Sequence, residues 1–198
     1  MEQIKNVCIH ADKCGGCAYQ GMPSDEQLRI KDDLVKTLID KKGLKVNTLL
    51  PIEESPDMYR YRNKMEFTFG NSEREGELKL GFHEKGNYRN IVNIEDCQLV
   101  DTDYNEILDA VRKFVVENNF SFYDKKSHSG FLRHLVIRSG IRTSEIIVNL
   151  VTSSSNLSTF NSKAFVSLLI SLKLNNELVG ILHTINDKIQ DTANGEDI

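Results

Sequence analysis

The sequence predicts an α+β fold in which a cysteine-bearing arm and a helix lead into a mostly antiparallel sheet with helices on one face. Three observations carry that prediction. From Lys64 onward apolar residues alternate with polar ones in several short runs. Two later stretches repeat at the helical period instead. The order of these pieces, β-β-β-α-β-β-α-β after the first helix, favours hairpin-connected strands. At 198 residues and 22.6 kDa the chain is long enough to bury a core. Its 27% charged and 39% hydrophobic content is ordinary for a globular protein. No apolar run is long enough to cross a bilayer, and Met1–Val7 carries no apolar signal core, so the expectation is a cytoplasmic, membrane-free monomer. The formal net charge of −4 argues against a uniformly cationic nucleic-acid binder, although a local basic patch on an acidic body remains open.

Taken in order, Ser24-Asp25-Glu26-Gln27 reads as a capping box. Leu28, Lys31, Leu34, Val35, Leu38 and Ile39 follow it at helical spacing, and Gly43 stands where the helix should stop. Met65, Phe67 and Phe69 define a strand, as do Leu78, Leu80 and Phe82, with the polar run from Asn71 to Gly76 as a hairpin turn between them. Ile91, Val92 and Ile94 make a third strand running toward Cys97. Asp101 to Asn119 is an amphipathic helix with Tyr104, Ile107, Leu108, Val111, Phe114 and Val115 on its apolar side. Strands follow over Leu132 to Arg138 and Glu145 to Thr152, then a helix over Asn161 to Leu172 and a last strand over Leu178 to His183. Asn186 to Ile198 is polar and aperiodic, and reads as a linker.

The cysteines are the strongest chemical signal. Cys8, Cys14 and Cys17 form a C-x5-C-x2-C run, and Cys97 follows 80 positions later, leaving no thiol over. Four thiolates suit either a tetrahedral zinc or a [4Fe–4S] cluster. Gly15 and Gly16 should let the loop curl, because glycine carries no Cβ penalty at positive φ. Two disulfides would need an oxidising compartment, for which the N-terminus gives no sign. Three clustered thiolates with one remote partner favour the cluster over zinc, whose structural sites usually offer two C-x2-C knuckles. His10, between the first two cysteines, reads as an outer partner of the site or as solvent-exposed rather than as a fifth ligand.

A second signal is Tyr59-Arg60-Tyr61-Arg62-Asn63-Lys64, where cations that hold phosphates interleave with rings that stack on bases. In a regular strand the cations Arg60, Arg62 and Lys64 would share one side and the tyrosines the other. Arg133, with Arg138 and Arg142, is a second basic group, and Lys85, Tyr88 and Arg89 could extend it. By the same alternation Arg133 would lie on the Leu135 and Ile137 side of its strand, opposite His134 and Arg138. Tyr61, Arg62, Lys64 and Arg133 are therefore the candidate RNA contacts. No nucleophile–base pattern or glycine-rich phosphate loop is present, and no catalytic residue is assigned.

The cysteine quartet together with the Tyr-Arg-Tyr-Arg-Asn-Lys segment resembles the RNA (uracil-5-)methyltransferases, which make 5-methyluridine in ribosomal and transfer RNA using S-adenosylmethionine. The similar stretches are Cys8 to Gln20, Tyr59 to Gly70, Leu80 to Cys97, Arg133 to Arg138 and Leu182 to Asp187. The resemblance implies that Cys8, Cys14, Cys17 and Cys97 hold a structural [4Fe–4S] cluster that shapes an RNA-binding domain. It also implies that the methyl donor and the catalytic residues belong to a C-terminal domain beyond this sequence. A fragment inactive by itself is expected, divided into an arm and helix over 1–50, a central RNA-binding domain over 51–185 and a linker over 186–198. Two other readings stand beside it: a structural zinc module for protein interaction, and a small iron–sulfur electron carrier.

Overall fold

The computed structural model describes residues 8–73 and 76–195. In chain order the elements are α1 (Ser24–Lys41), β1 (Lys64–Gly70), β2 (Lys79–Glu84), β3 (Asn87–Asn93), α2 (Thr102–Glu117), β4 (Leu132–Gly140), β5 (Glu145–Thr152), α3 (Ser162–Ile170) and β6 (Glu177–Ile185). The strands form one sheet in the order β3-β2-β1-β4-β5-β6. Every neighbouring pair is antiparallel except β5 and β6, which run parallel because α3 carries the chain across between them. This is the α+β architecture expected from the pattern. The expected hairpin turn lies partly outside the described residues.

Alternation decides which face each strand buries. Met65, Phe67 and Phe69 of β1 enter the core beside Ile137 and Leu135 of β4, while Glu66 and Thr68 point to the other face with Val136 and His134. Helix α2 closes the core from one side with Tyr104, Ile107, Leu108, Val111 and Val115, and α3 adds Phe165 and Leu169. The start of α2 is well fixed. Asp101 caps it by accepting from the Asp103 backbone N–H. The buried Asp103 carboxylate accepts from the backbone and side-chain amides of both Asn175 and Asn176, which fastens the α3–β6 connection to this end of α2. Four charge-assisted bonds offset the cost of burying a carboxylate.

Helix α1 departs from expectation at its start. Ser24 is its first helical residue and no side chain caps it. The Ser24 hydroxyl instead bonds to Glu54, and Gln27 Nε2 donates to the Met22 carbonyl at 2.8 Å. Pro23 directly ahead of Ser24 takes the cap position, so the box falls one residue out of step. The end of α1 is as read. Gly43 has φ +61° and its N–H reaches the Asp40 carbonyl, while the Leu44 N–H reaches Ile39, the paired bonds of a Schellman ending. Nothing in α1 is buried, and Leu34, Val35 and Leu38 are all about half exposed.

A correction concerns Arg133. The β4–β5 register slips between Leu132 and His134, so Leu132 faces the core and Arg133 is the extra residue of a bulge. Its side chain is 1% exposed, out of reach of any phosphate on the surface, and the expected RNA contact there does not hold. The guanidinium donates to the carbonyls of Asn186, Lys188 and Gln190 at 2.7–2.9 Å and lies 3.9 Å over the Tyr123 ring. Beside it, Asp191 accepts from His134 Nε2 at 2.8 Å and pairs with Lys125 at 2.7 Å. Residues 186–191 thus form a strap across the bulge. We expect Arg133→Met, which removes a buried guanidinium and strips three carbonyls of their donor, to lower the free energy of unfolding in urea by about 3 kcal/mol. A loss below about 1 kcal/mol would mean that Asp191 alone holds the strap.

Candidate metal centre and nucleic-acid interface

The arm from Cys8 is a run of tight turns. The Ala11 N–H bonds to the Cys8 carbonyl, and the Cys14 N–H to that of His10 at 2.8 Å. The arm then pairs with the end of β2: Cys14 bridges Glu84, Gly15 N–H donates to the His83 carbonyl at 2.9 Å, and Lys85 N–H donates to the Lys13 carbonyl at 2.7 Å. Neither Gly15 nor Gly16 has positive φ, which corrects the reason given for them. Gly15 is required for close approach, since a Cβ there would stand 2.9 Å from the His83 carbonyl oxygen.

Cys97 is positioned from the opposite side. Its N–H donates to Asn105 Oδ1 of α2 at 2.9 Å, and Arg112 Nη1 holds the Ile94 carbonyl at 3.0 Å. His10 joins the two halves: its Nε2 accepts from the Glu95 N–H at 3.0 Å. Accepting there requires the neutral ring with its proton on Nδ1, and burial lowers the His10 pKa in keeping with that form. Cys8, Cys14, Cys17 and Cys97 all line one cavity of about 340 Å3 and are free thiols. Burial raises the pKa of Cys14, Cys17 and Cys97, and their mutual proximity adds to it. Among the described residues no three His, Cys, Asp or Glu side chains are drawn up closely enough to hold a metal ion. The thiols surround a space rather than close on a point. By its chemistry a set of four thiols suits either a tetrahedral ion or a four-iron cluster.

Arg62 and Lys64 also line this cavity. The Arg62 charge acts on Cys17 against the effect of burial, as a counter-charge to thiolates should. The segment leading to them is not a regular strand. Arg60 has φ +55°, held by backbone bonds from Arg60 N–H to Gln98 and from Arg62 N–H to Leu99. That left-handed residue breaks the expected two-sided alternation, so Tyr59, Tyr61 and Arg62 all line a second, larger cleft. Lys64 pairs in register with Arg138, placing two cations side by side on the sheet's open face. Arg133, under the strap, belongs to neither cavity. Sequence reasoning missed Asn105 and Arg112 as supports of the Cys97 loop. Both sit within a helix whose apolar period says nothing about its polar side.

An RNA methyltransferase of Caldanaerobacter subterraneus subsp. tengcongensis is 41% identical over 191 residues, 96% of this chain and 42% of that protein. One of Clostridium tetani is 43% identical over the same length, covering 41% of the relative. The chain belongs with the RNA methyltransferases. No protein-family model matches it. The crystal structure of Pyrococcus abyssi tRNA (uracil-54, C5)-methyltransferase, in complex with S-adenosyl-L-homocysteine, superposes with a TM-score of 0.66 at 27% identity, over 93% of this chain and 40% of that one. The chain thus spans about two-fifths of the length of the curated relatives that it matches.

The buried thiols give a pH signature. Burial pushes the Cys97 pKa from 9.0 up to about 11, so the folded chain prefers the protonated thiol. That preference contributes fully below pH 9 and is lost as pH rises through about 11. In the reduced, metal-free chain, unfolding free energy should fall over this interval, and Cys97→Ala should remove up to about 3 kcal/mol of the fall. Cys14, Cys17 and Tyr104 shift in the same direction and persist in both proteins, so the difference reports Cys97 together with its coupling to the neighbouring thiols. Identical pH profiles for the two would show that the thiol titrates as if in water.

Proposed function

We propose that this chain is the RNA-recognition and [4Fe–4S]-binding part of an S-adenosylmethionine-dependent RNA (uracil-5-)methyltransferase acting on ribosomal or transfer RNA. The observation that carries the reading is the placement of Cys97 on the same cavity as Cys8, Cys14 and Cys17, despite the separation in sequence. A cluster held by these four thiolates would supply structure, tying the arm to the loop at Cys97. Arg62 and Lys64 would offset its negative charge. The exposed cations Arg60, Arg62, Lys64 and Arg138, with Tyr59 and Tyr61 beside them, form a surface that can hold phosphates and rings together. The Pyrococcus neighbour's name specifies uracil C5 of tRNA and its complex holds the demethylated donor, which supports the same chemistry for the whole protein here.

In this reading the arm and α1 (1–50) and the central domain (51–185) bind and orient RNA, and 186–198 leads on toward a methyl-donor domain. No residue of this chain is assigned to methyl transfer, and the chain alone should be inactive. No helix among the described residues is long and apolar enough to cross a membrane.

Anaerobic reconstitution should give a brown protein with about four irons per chain. A colourless protein with one tightly held zinc would replace the cluster by a zinc module, and reversible one-electron exchange without RNA affinity would point to an electron carrier. For RNA, Arg62→Ala should weaken hairpin binding and reduce the slope of log affinity against log salt by about 0.7–0.9, the loss of one phosphate contact. An unchanged slope would take Arg62 off the binding surface.

A further inference from the structure

The cleft beside the cysteine cavity is a site in its own right. Its volume is about 790 Å3, and its walls are the loop from Gly15 to Tyr19, the first turns of α1 and the segment from Glu54 to Arg62. Three tyrosines line it, Tyr19, Tyr59 and Tyr61, and two cations, Lys31 and Arg62. Tyr59 and Tyr61 are 37% and 48% exposed, so their rings are presented rather than packed. Lys31 Nζ stands 5.2 Å from the Tyr19 ring centre. The Arg62 guanidinium has no carboxylate partner among the described residues. Glu54 and Asp57 occupy the remaining wall, where Glu54 is engaged by Ser24. Their charge disfavours an anion beside them, leaving Lys31 and Arg62 as the lining cations that could attract one.

Arg60 explains why these groups meet. A left-handed φ in a non-glycine residue is strained by about 1 kcal/mol or more and persists only where its surroundings impose it. Here the backbone bonds to Gln98 and Leu99, directly after Cys97, impose it. Without that kink the tyrosines and Arg62 would face opposite ways. The loop that presents Cys97 therefore also shapes the cleft, and Cys17 and Arg62 line both spaces.

We propose that this cleft receives a single unpaired nucleotide of an RNA strand, with its base against Tyr59 and Tyr61 and its phosphate held by Arg62 and Lys31. The inference rests on the RNA-binding function proposed above and adds a place and a conformation to it. Pockets of this size enclose a small organic group, and exposed tyrosines stack on any base whose faces are free. A paired base in a helix offers neither face. An RNA with one extruded nucleotide therefore fits, and a continuous duplex does not.

The test uses the 198-residue chain and three RNA hairpins that differ only at one position of the stem: fully paired, with a single bulged 2-aminopurine nucleotide, and with a bulged abasic residue. The chain has no tryptophan, which leaves the 2-aminopurine emission unobscured. We expect the bulged hairpin to bind about 5- to 150-fold more tightly than the abasic one, with its emission quenched on binding. Tyr61→Ala and Tyr59→Ala should each reduce that margin, and Tyr61→Phe should keep it. Equal, salt-sensitive binding of all three hairpins would overturn the cleft while leaving the RNA surface standing. Absence of salt-sensitive binding to any of them would overturn both. Displacement of the bulged hairpin by free mononucleotide at equal concentration would assign the cleft to a soluble nucleotide and overturn its assignment to RNA. The abasic comparison needs no variant protein, so it stands even if a tyrosine substitution unfolds the chain.

Discussion

Everything at the functional end of this molecule depends on two pieces of chain, far apart in sequence, being fixed against each other around four thiols. The arm is fixed by main-chain pairing to the end of β2, through Cys14, Gly15 and Lys13. The Cys97 loop is fixed by the side chains of Asn105 and Arg112 from α2. A hydrogen bond from the Glu95 backbone N–H to the His10 ring spans the two. None of these contacts is strong alone, each contributing on the order of 1 kcal/mol. What they secure is geometry. The sulfurs line one shared space without any direct bond between the thiols.

The same loop sets the electrostatics next door. Arg62 takes its backbone direction from Leu99, and its guanidinium lies where it serves both the thiol cavity and the tyrosine-lined cleft. A net charge of −4 is therefore compatible with RNA binding, because the cations that matter are gathered at one end of β1 and β4. Local field, rather than overall balance, decides what such a surface attracts.

Much of the fold was legible because hydrophobic period reports burial directly. Met65, Phe67 and Phe69 announce β1, and the run from Glu145 to Thr152 is β5 to the residue. What escaped was set by contacts that no local pattern encodes. The bulge at Arg133 exists because three carbonyls of a strap over 50 residues later receive its guanidinium. The kink at Arg60 exists because Gln98 and Leu99 supply its partners. Gly15 was flagged as a glycine that mattered, for the wrong reason: the constraint is an approaching carbonyl and not a dihedral angle. The crowding of Cys8, Cys14 and Cys17 was plain in the sequence, but which side chains hold Cys97 beside them was not.

The parallel pairing of β6 has a consequence for how the chain assembles. All four thiols and their tethers, from Cys8 to Arg112, lie upstream of β4. The strap that shields Arg133 follows β6, which can join only after α3 has crossed over. A chain emerging from the ribosome thus presents its complete sulfur quartet before the sheet has its central partner strand, and Arg133 is covered only after β6 has been made. Long-range closures of this kind are slow relative to hairpins. Until β4 to β6 have been made, the thiols stand beside an unfinished sheet.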